Sequence, residues 1–316
     1  MPEQLKYEYF HYDQAGIVNP RKRQHVVTWD RVRFVSTNVH AGEHPSYQTM
    51  IASDEKKPIM ISYIKTNLWF DQFPRYAQVL KLIMAKVPAD KIDDKLPLIV
   101  QYATPYKEYK SREKMAKQNP QDINGLKRFA RMAWVRLDYG KARKYLKMAL
   151  MINERDISCL LDMAEMDMES HKSHKQVKSC LDQILKMDPE HPKALRLMVA
   201  ILVSLDSPET EAFIRRAISA NPRALALQEM LGAWLFRKER FDEAKAVMAG
   251  IEGLSDDGLT RQYIQQSVEY IHKYQTDGDF RKKEKSNYRK RVFRDWLIAA
   301  AVVLTLILFV ALKIIF

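Results

Sequence analysis

Two pairs of histidines are the side chains whose type and spacing first suggest metal binding. His171 and His174 lie between two expected helices, and His40 and His44 flank a short loop. A zinc site needs three or four ligands in tetrahedral array, and neither pair has a nearby cysteine or a cluster of carboxylates. We therefore expect these histidines to be solvated, and the sequence predicts no metal and no cofactor.

Nucleophilic, redox and calcium chemistry are also weakly indicated. Cys159 and Cys180 lack the CxxC spacing of a redox pair and fall in amphipathic helical stretches, which favours core positions and a reducing compartment. The acidic run at residues 162–169 lacks the glycine of a calcium loop and is typical of a helix with an acidic edge. Phosphate-loop, dinucleotide-binding, nucleophile-elbow and zincin motifs are absent from the sequence. We therefore expect a chain that is not an enzyme.

The segment 296–316 is the strongest single signal in the sequence. It contains one charged side chain, Lys313, and no proline or glycine. A helix of this length spans about 31 Å, which matches a hydrocarbon core of ~30 Å. Lys313 can extend to the far headgroups, and Trp296 would lie at the near interface. These features predict a C-terminal transmembrane anchor rather than a buried core helix.

The segment before the expected anchor is basic. Residues 279–295 hold eight bases and three acids, and so supply a large share of the net charge of +13. The positive-inside rule then places the body of the chain in the cytosol, and the polar N-terminus does not resemble a signal peptide. Attraction to anionic lipid is worth ~1 kcal/mol per base near the surface. The bases assigned to the membrane surface are Arg281, Lys282, Lys283, Lys285, Arg289, Lys290, Arg291 and Arg294. Because the run abuts the membrane, we expect no nucleic acid partner.

The N-terminal region, residues 1–90, has the composition of a small β-rich domain. Short runs rich in Val, Ile, Tyr, Phe and Thr occupy residues 7–12, 25–28, 32–36, 47–52 and 59–64, with polar turns between several of them. Residues 70–87 then change to helical spacing. The pattern predicts an antiparallel sheet region followed by one helix.

This region resembles a pleckstrin-homology-like (PH-like) barrel of the bacterial kind. Residues 16–17 (GI) and 27–32 (VTWDRV) are similar to the pattern G-[IV] … [IV]-x-W-x-x-[IV] of that superfamily. The resemblance implies binding of a lipid, a peptide or another domain. Arg21, Lys22 and Arg23 lie where a headgroup-binding cluster would be expected, although a basic turn is more often simply solvated.

From residue 96 onward the chain is helical and contains an internal repeat. Tyr139 and Ala142 align with Phe241 and Ala244, and each pair opens a helix that follows another amphipathic helix. Units beginning near residues 123, 158, 191 and 225 give a nearly constant period. Such a period is typical of stacked helix pairs that bury a shared face.

The repeat resembles the tetratricopeptide repeat (TPR), whose 34-residue unit carries W-x2-L-G-x2-Y, then A-x3-F, then P. The fourth unit contains Leu231 and Gly232, followed by Ala244 and Met248 at the A-x3-F spacing, and the second and third units end in Asp-Pro and Asn-Pro. The resemblance implies a helical solenoid whose concave face binds a protein or peptide. Residues 260–274 are expected to form its capping helix. The residues expected on the concave face are Lys127, Arg131, Trp134, Asp162, Met166, Leu195, Val199, Leu202 and Phe236.

Together these features predict an α+β multidomain chain. We expect a PH-like domain at 1–90, a helical lead-in at 91–122, TPR-like repeats with a capping helix at 123–274, a basic juxtamembrane tether at 275–295 and a transmembrane anchor at 296–316.

The architecture favours an adaptor or scaffold that recruits a protein partner to the cytosolic face of a membrane. The bacterial inner membrane is favoured because the N-terminal pattern is similar to bacterial proteins, and a eukaryotic organelle membrane is the other possibility. A lipid-sensing or lipid-handling protein that uses the PH-like region is the alternative from another class.

Overall fold

The computed structural model describes residues 5–7, 10–12, 15–19, 24–41, 45–53, 58–65, 72–170, 173–252 and 258–289. The chain forms two compact units, Met1–Leu197 and Met198–Phe316. The first unit contains all the described strands and the first two helix pairs. The boundary falls within the helix Pro192–Ser204, and the second unit contains the helical residues after it.

Seven short strands form two antiparallel sheets in the first unit. The first sheet is a meander of β1 (Leu5–Tyr7), β2 (Phe10–Tyr12), β3 (Gly16–Asn19) and β4 (Gln24–Thr28). A 3-10 turn at Trp29–Arg31 leads into the second meander, which consists of β5 (Val32–His40), β6 (Ser46–Ser53) and β7 (Ile59–Ile64). The predicted antiparallel region is thus confirmed, with two differences: the run at 7–12 divides into two strands, and β3 was not predicted.

The second sheet has one buried face, as its alternating sequence requires. Tyr47 and Ile51 on β6 and Ile61 on β7 are fully buried. On this face the hydroxyl of the fully buried Thr49 forms a hydrogen bond with the hydroxyl of Tyr76 at 2.6 Å. The first helix, α1 (Phe73–Lys86), covers the strands and contacts both β1 and β7. It begins three residues later than the predicted segment. Proline fits in the first turn of a helix but not in its interior, and Pro74 lies in the first turn of α1.

The β-rich part shares its hydrophobic core with the first helical repeat. Val135 and Leu137 belong to the same buried cluster as the strand residues. The Tyr47 hydroxyl donates to the carbonyl of Val135 at 3.2 Å, and the Lys65 ammonium donates to that of Leu137 at 3.1 Å. The strands are therefore packed onto the repeats of this unit rather than separated from them by a linker.

Helix pairs follow two lead-in helices, α2 (Lys95–Tyr102) and α3 (Tyr106–Gln118). The pairs are α4 (Ile123–Val135) with α5 (Tyr139–Ile152), α6 (Ile157–Glu169) with α7 (His174–Met187), α8 (Pro192–Ser204) with α9 (Thr210–Ala220), and α10 (Leu225–Arg237) with α11 (Phe241–Glu252). The first helices begin at residues 123, 157, 192 and 225, within one residue of the predicted starts. The predicted helix pairs and their period are confirmed.

Aspartate caps fix several of these helix starts. Asp122, Asp138 and Asp156 precede α4, α5 and α6, and each side chain accepts a hydrogen bond from a backbone N–H in the first turn. Such caps satisfy donors that the helix itself leaves open.

The last two described helices of the second unit pack through aromatic rings. Helix α12 (Gly258–Thr276) contacts α11, and a further helix, α13 (residues 278–289), follows. The Phe280 ring of α13 lies 5.6 Å from the Tyr270 ring, and the Tyr274 ring lies 5.0 Å from that of Phe236. The predicted tether therefore contains a packed helix as far as residue 289.

Several predicted features lie outside the described residues. These are the anchor at 296–316, the basic turn at 21–23, the bases Lys290, Arg291 and Arg294, and the histidines His44 and His171. In the part of the chain that the structure describes, no helix combines the length and the apolar character that crossing a membrane requires.

Candidate partner-binding site

The charged residues predicted for the concave face of the first unit are held in ion pairs. Lys127 Nζ lies 2.9 Å from Asp156 Oδ2, and Arg131 Nε lies 2.6 Å from Asp162 Oδ2. Burial raises the pKa of Asp162, although its bond from Arg131 acts in the opposite direction. These cations are therefore already neutralised within the unit, which weakens the expected preference for an acidic ligand at this face.

Helix α2 covers part of the same face. Lys95 forms an ion pair with Glu169 and lies 4.1 Å from the centre of the Trp134 ring, and Trp134 Nε1–H donates to Glu169 at 2.6 Å. Tyr102, at the end of α2, accepts a hydrogen bond from Arg131 at 3.1 Å. The side chains of Arg131 and Trp134 are thus engaged by the chain itself.

The remaining residues predicted for the concave face are mainly packing residues. Met166 and Leu195 in the first unit are fully buried, as is Val199 in the second, and Leu202 is nearly so. Phe236 is half-buried among the aromatic rings of α11 and α12. Partner binding by these residues stays a prediction.

An open groove lies elsewhere in the first unit, among α5, α6 and α7. Its volume is ≈ 490 Å³, within the range of typical small-ligand pockets. The lining residues are Arg143, Lys147, Leu150, Glu154, Leu160, Met163, Asp167, Lys175, Gln176, Ser179, Cys180 and Gln183. We refer to it as the α5–α7 groove.

The local sequence explains how the α5–α7 groove is built. On α5 the lining residues Arg143, Lys147 and Leu150 recur at helical spacing, so they lie on one side of that helix. On α6, Leu160 and Met163 share a face in the same way and are the most buried apolar residues of the lining. The result is a hollow with an apolar floor between two polar helix edges.

Some charged side chains of the groove form ion pairs and others do not. Arg143 Nη1 donates to Asp167 Oδ2 at 2.7 Å, so this buried carboxylate is neutralised inside the lining. Lys147 and Lys175 are exposed, and neither forms an ion pair with another of the described residues. Burial, followed by the charge of Asp167, raises the pKa of the Cys180 thiol. The open groove therefore presents ammonium groups and a neutral thiol.

Sequence reasoning missed this groove because it considered only the first helix of each repeat as a binding surface. Lys147 and Lys175 stand on second helices and were not singled out. The available signal was the basic composition of α5, which carries Lys141, Arg143, Lys144 and Lys147.

The residues considered for catalysis are not assembled into a site. Cys159 is fully buried, and burial raises the pKa of its thiol to about 12. His174 is exposed, and His40 Nε2 lies 3.2 Å from the Gln48 side chain. Among the described residues no group of histidine, cysteine and carboxylate side chains is placed to hold a metal ion.

Comparison with known proteins finds similar folds only among solved structures; no family model and no curated protein matches the chain. YrrB, a TPR protein described as having an unusual peptide-binding site, gives a TM-score of 0.44 at 16% identity, covering 54% of this chain and 87% of that one. A thermophilic TPR protein from Thermus thermophilus gives 0.40 at 17% identity, covering 51% and 89%. A TPR protein from Parabacteroides merdae gives 0.42 at 17%, covering 71% and 90%. All three TM-scores are below 0.5, so these likenesses transfer neither a family nor a partner to this chain.

Proposed function

We propose that this protein is a membrane-tethered, non-enzymatic adaptor whose helical repeats bind a protein or peptide partner. The α5–α7 groove is the observation that carries the proposal, because it is an open hollow with an apolar floor. The residues that the sequence predicted as binding residues in this unit are instead paired or packed. Preformed grooves of this kind suit recognition of a peptide segment, since little conformational freedom is lost on binding.

The membrane part of the proposal places the complex at the cytosolic face, with the bacterial inner membrane favoured. The expected anchor at 296–316 would hold the chain there, and a tethered partner gains effective concentration without any new contact. Exposed bases on α13 support an additional attraction to anionic lipid: the Lys282 side chain is 85% exposed, and Lys283 and Arg289 are also exposed.

Arg281 has a different role from the neighbouring bases. Its Nε donates to the carbonyl of Tyr274 at 2.8 Å, and a second N–H donates to that of Gln275. The guanidinium also lies 5.9 Å from the centre of the Phe241 ring. Arg281 thus holds α13 against the end of α12, which fixes the start of the basic helix.

Site-specific cross-linking in cells of the source organism tests the proposal. A photoreactive amino acid placed at Lys147 or Gln183 in the groove should cross-link one partner protein, whereas the same group at the exposed positions Lys114 or Lys186 should not. The cross-linked complex should be in the membrane fraction for the full chain and should leave it when residues 296–316 are deleted. Absence of any groove-specific product would contradict the adaptor function.

A lipid-sensing function is the second candidate, and the strand arrangement supports it. A four-stranded meander, a three-stranded meander and a following helix are the elements expected of a PH-like barrel. Replacement of Arg21, Lys22 and Arg23 by glutamine separates the candidates. The lipid-sensing function predicts lost binding to phosphoinositide vesicles and lost activity in cells, whereas the adaptor function predicts that groove cross-linking is unchanged.

A further inference from the structure

We propose that the α5–α7 groove binds an acidic peptide segment that also carries a large apolar side chain. This inference rests on the proposed function, because it names the chemistry of the partner at that same groove. It follows from three features of the lining: its floor, its unpaired bases and their distribution along the groove.

The apolar floor of the groove favours a ligand with an apolar side chain. Leu160 and Met163 are 3% and 5% exposed, and Leu150 is partly buried beside them. Methionine adapts its shape to different partners, so this floor can accept a leucine, methionine or phenylalanine side chain. Burying such a side chain supplies the favourable free energy of a peptide anchor.

The exposed lysines of the groove favour a ligand with acidic groups. Arg143 is compensated by Asp167, which leaves Lys147 and Lys175 as the cations presented to a ligand. Glu154 is the opposing charge of the lining, and it lies beyond the end of α5. A ligand carboxylate near the two lysines gains Coulomb attraction that a basic or neutral peptide lacks.

The positions of these groups set the separation between the acidic and the apolar side chain of the ligand. On α5, Lys147 precedes Leu150 by about one turn, and Glu154 follows after the end of that helix. The distance along α5 from Lys147 to Leu150 is about 4.5 Å, which an extended peptide covers in one or two residues. The acidic group and the apolar anchor of the ligand should therefore lie within about four residues of each other.

Selection from a random peptide library displayed on phage, with the full-length protein in detergent as the target, tests the inference. We expect the selected peptides to combine Asp or Glu with a nearby Leu, Met or Phe. The double variant Lys147→Glu/Lys175→Glu should weaken their binding about tenfold or more. The control variant Lys114→Glu/Lys186→Glu makes the same change in net charge at exposed positions outside the groove and should leave binding unchanged.

Alkylation of Cys180 locates the bound peptide. Cys180 lines the groove, whereas Cys159 is fully buried, so iodoacetamide should label Cys180 first and a bound peptide should slow that labelling. Mass spectrometry distinguishes the two sites.

The possible results separate this inference from the proposed function. Selected peptides without acidic residues, or peptides that bind the groove variant and the control variant equally, overturn the acidic ligand but leave an adaptor function. Acidic peptides that bind without protecting Cys180 place the ligand outside the groove and also overturn the inference. If the wild-type protein selects no peptide and the groove positions cross-link no protein, both the inference and the proposed function fail.

Discussion

Lys95 and Glu169 are 74 positions apart in the sequence and form a largely buried ion pair against the ring of Trp134. The pair joins α2 to α6 and is enclosed on the face of the repeats that the sequence assigned to a partner. Burial lowers the pKa of Lys95, while the neighbouring Glu169 acts to raise it. The two charged groups therefore stabilise the fold only as a pair, because either one alone would be a buried charge without a partner.

The first prediction concerns this pair. Lys95→Met should destabilise the first unit by about 3 kcal/mol, because Glu169 would be left as an uncompensated charge. The double variant Lys95→Met/Glu169→Gln should recover most of that loss, since the glutamine carbonyl can still accept the Trp134 N–H. Urea unfolding monitored by tryptophan fluorescence measures both. Lys282→Met, which removes an exposed cation, is the control; equal effects at positions 95 and 282 would refute a structural role for the pair.

The second prediction is a pH dependence at Asp156. Burial opposes ionisation, but hydrogen bonds from Lys127, Ser158 and the Cys159 N–H prevail and lower the carboxyl pKa from 3.8 to about 2. Because the folded-state pKa is the lower one, the stabilisation is complete above about pH 4 and is lost as the pH falls toward 2.

Asp156→Asn tests this dependence while keeping a residue that can cap α6. The variant should lose about 1–2 kcal/mol of stability at pH 7, and the loss should diminish at pH values below about 4. Thermal unfolding at several pH values provides the measurement. Asp122→Asn, which changes the cap of α4, is the matched control, and a loss at position 156 that does not depend on pH would contradict the prediction.

The third prediction contrasts two glycines. A Cβ at Gly16 would lie 2.2 Å from the carbonyl oxygen of Val27, whereas a Cβ at Gly140 would meet nothing within 4 Å. Gly16→Ala must displace the backbone of β3 or β4 and should lower the melting temperature. Gly140→Ala should raise stability by about 0.5–1 kcal/mol, because alanine favours the helix. Calorimetry on the two variants measures whether each substitution raises or lowers the melting temperature. A Gly16→Ala variant with an unchanged melting temperature would show that β3 and β4 can move apart at no cost in stability.

The period of the repeats was predictable because each helix pair leaves its own local pattern. Tyr139 and Phe241 open α5 and α11 as their alignment predicted. The short strand β3 was not predictable in the same way, since its four residues are too few to show an alternation and depend on pairing with β2 and β4.

The candidate site was harder to predict because it depends on contacts distant in sequence. Nothing local to Arg131 shows that Asp162 and Tyr102 will engage it, 31 and 29 positions away. The α5–α7 groove likewise arises from the spacing of three helices. Sequence patterns indicate which helix faces are apolar, but whether a face is filled or left open depends on how its neighbours pack.

The fourth prediction concerns the left-handed backbone conformation found two residues after the ends of α4 and α10. Leu137 and Glu239 both have φ of 58°, at corresponding positions of the first and fourth units. Glu239 is largely exposed, so Glu239→Gly should stabilise the protein by about 0.5–1 kcal/mol by relieving the left-handed conformation. Leu137 is 2% exposed and part of the core, so Leu137→Gly should instead destabilise it. Denaturant unfolding decides the signs, and destabilisation by both substitutions would contradict the strain argument.

The last prediction concerns the exposed bases of α13. In a chain lacking residues 296–316, replacing Lys282, Lys283 and Lys285 by glutamine should remove about 3 kcal/mol of attraction to anionic lipid, a weakening of more than about a hundredfold. Co-sedimentation with phosphatidylglycerol vesicles measures the loss, and phosphatidylcholine vesicles give the uncharged reference. Because α13 is held by Arg281 and the Phe280 ring, these three changes should leave the helix folded, as circular dichroism would show. Exposed lysines on α3, such as Lys107, Lys110 and Lys114, provide the control: if their replacement weakens sedimentation equally, the attraction comes from overall charge, and α13 has no special part in it.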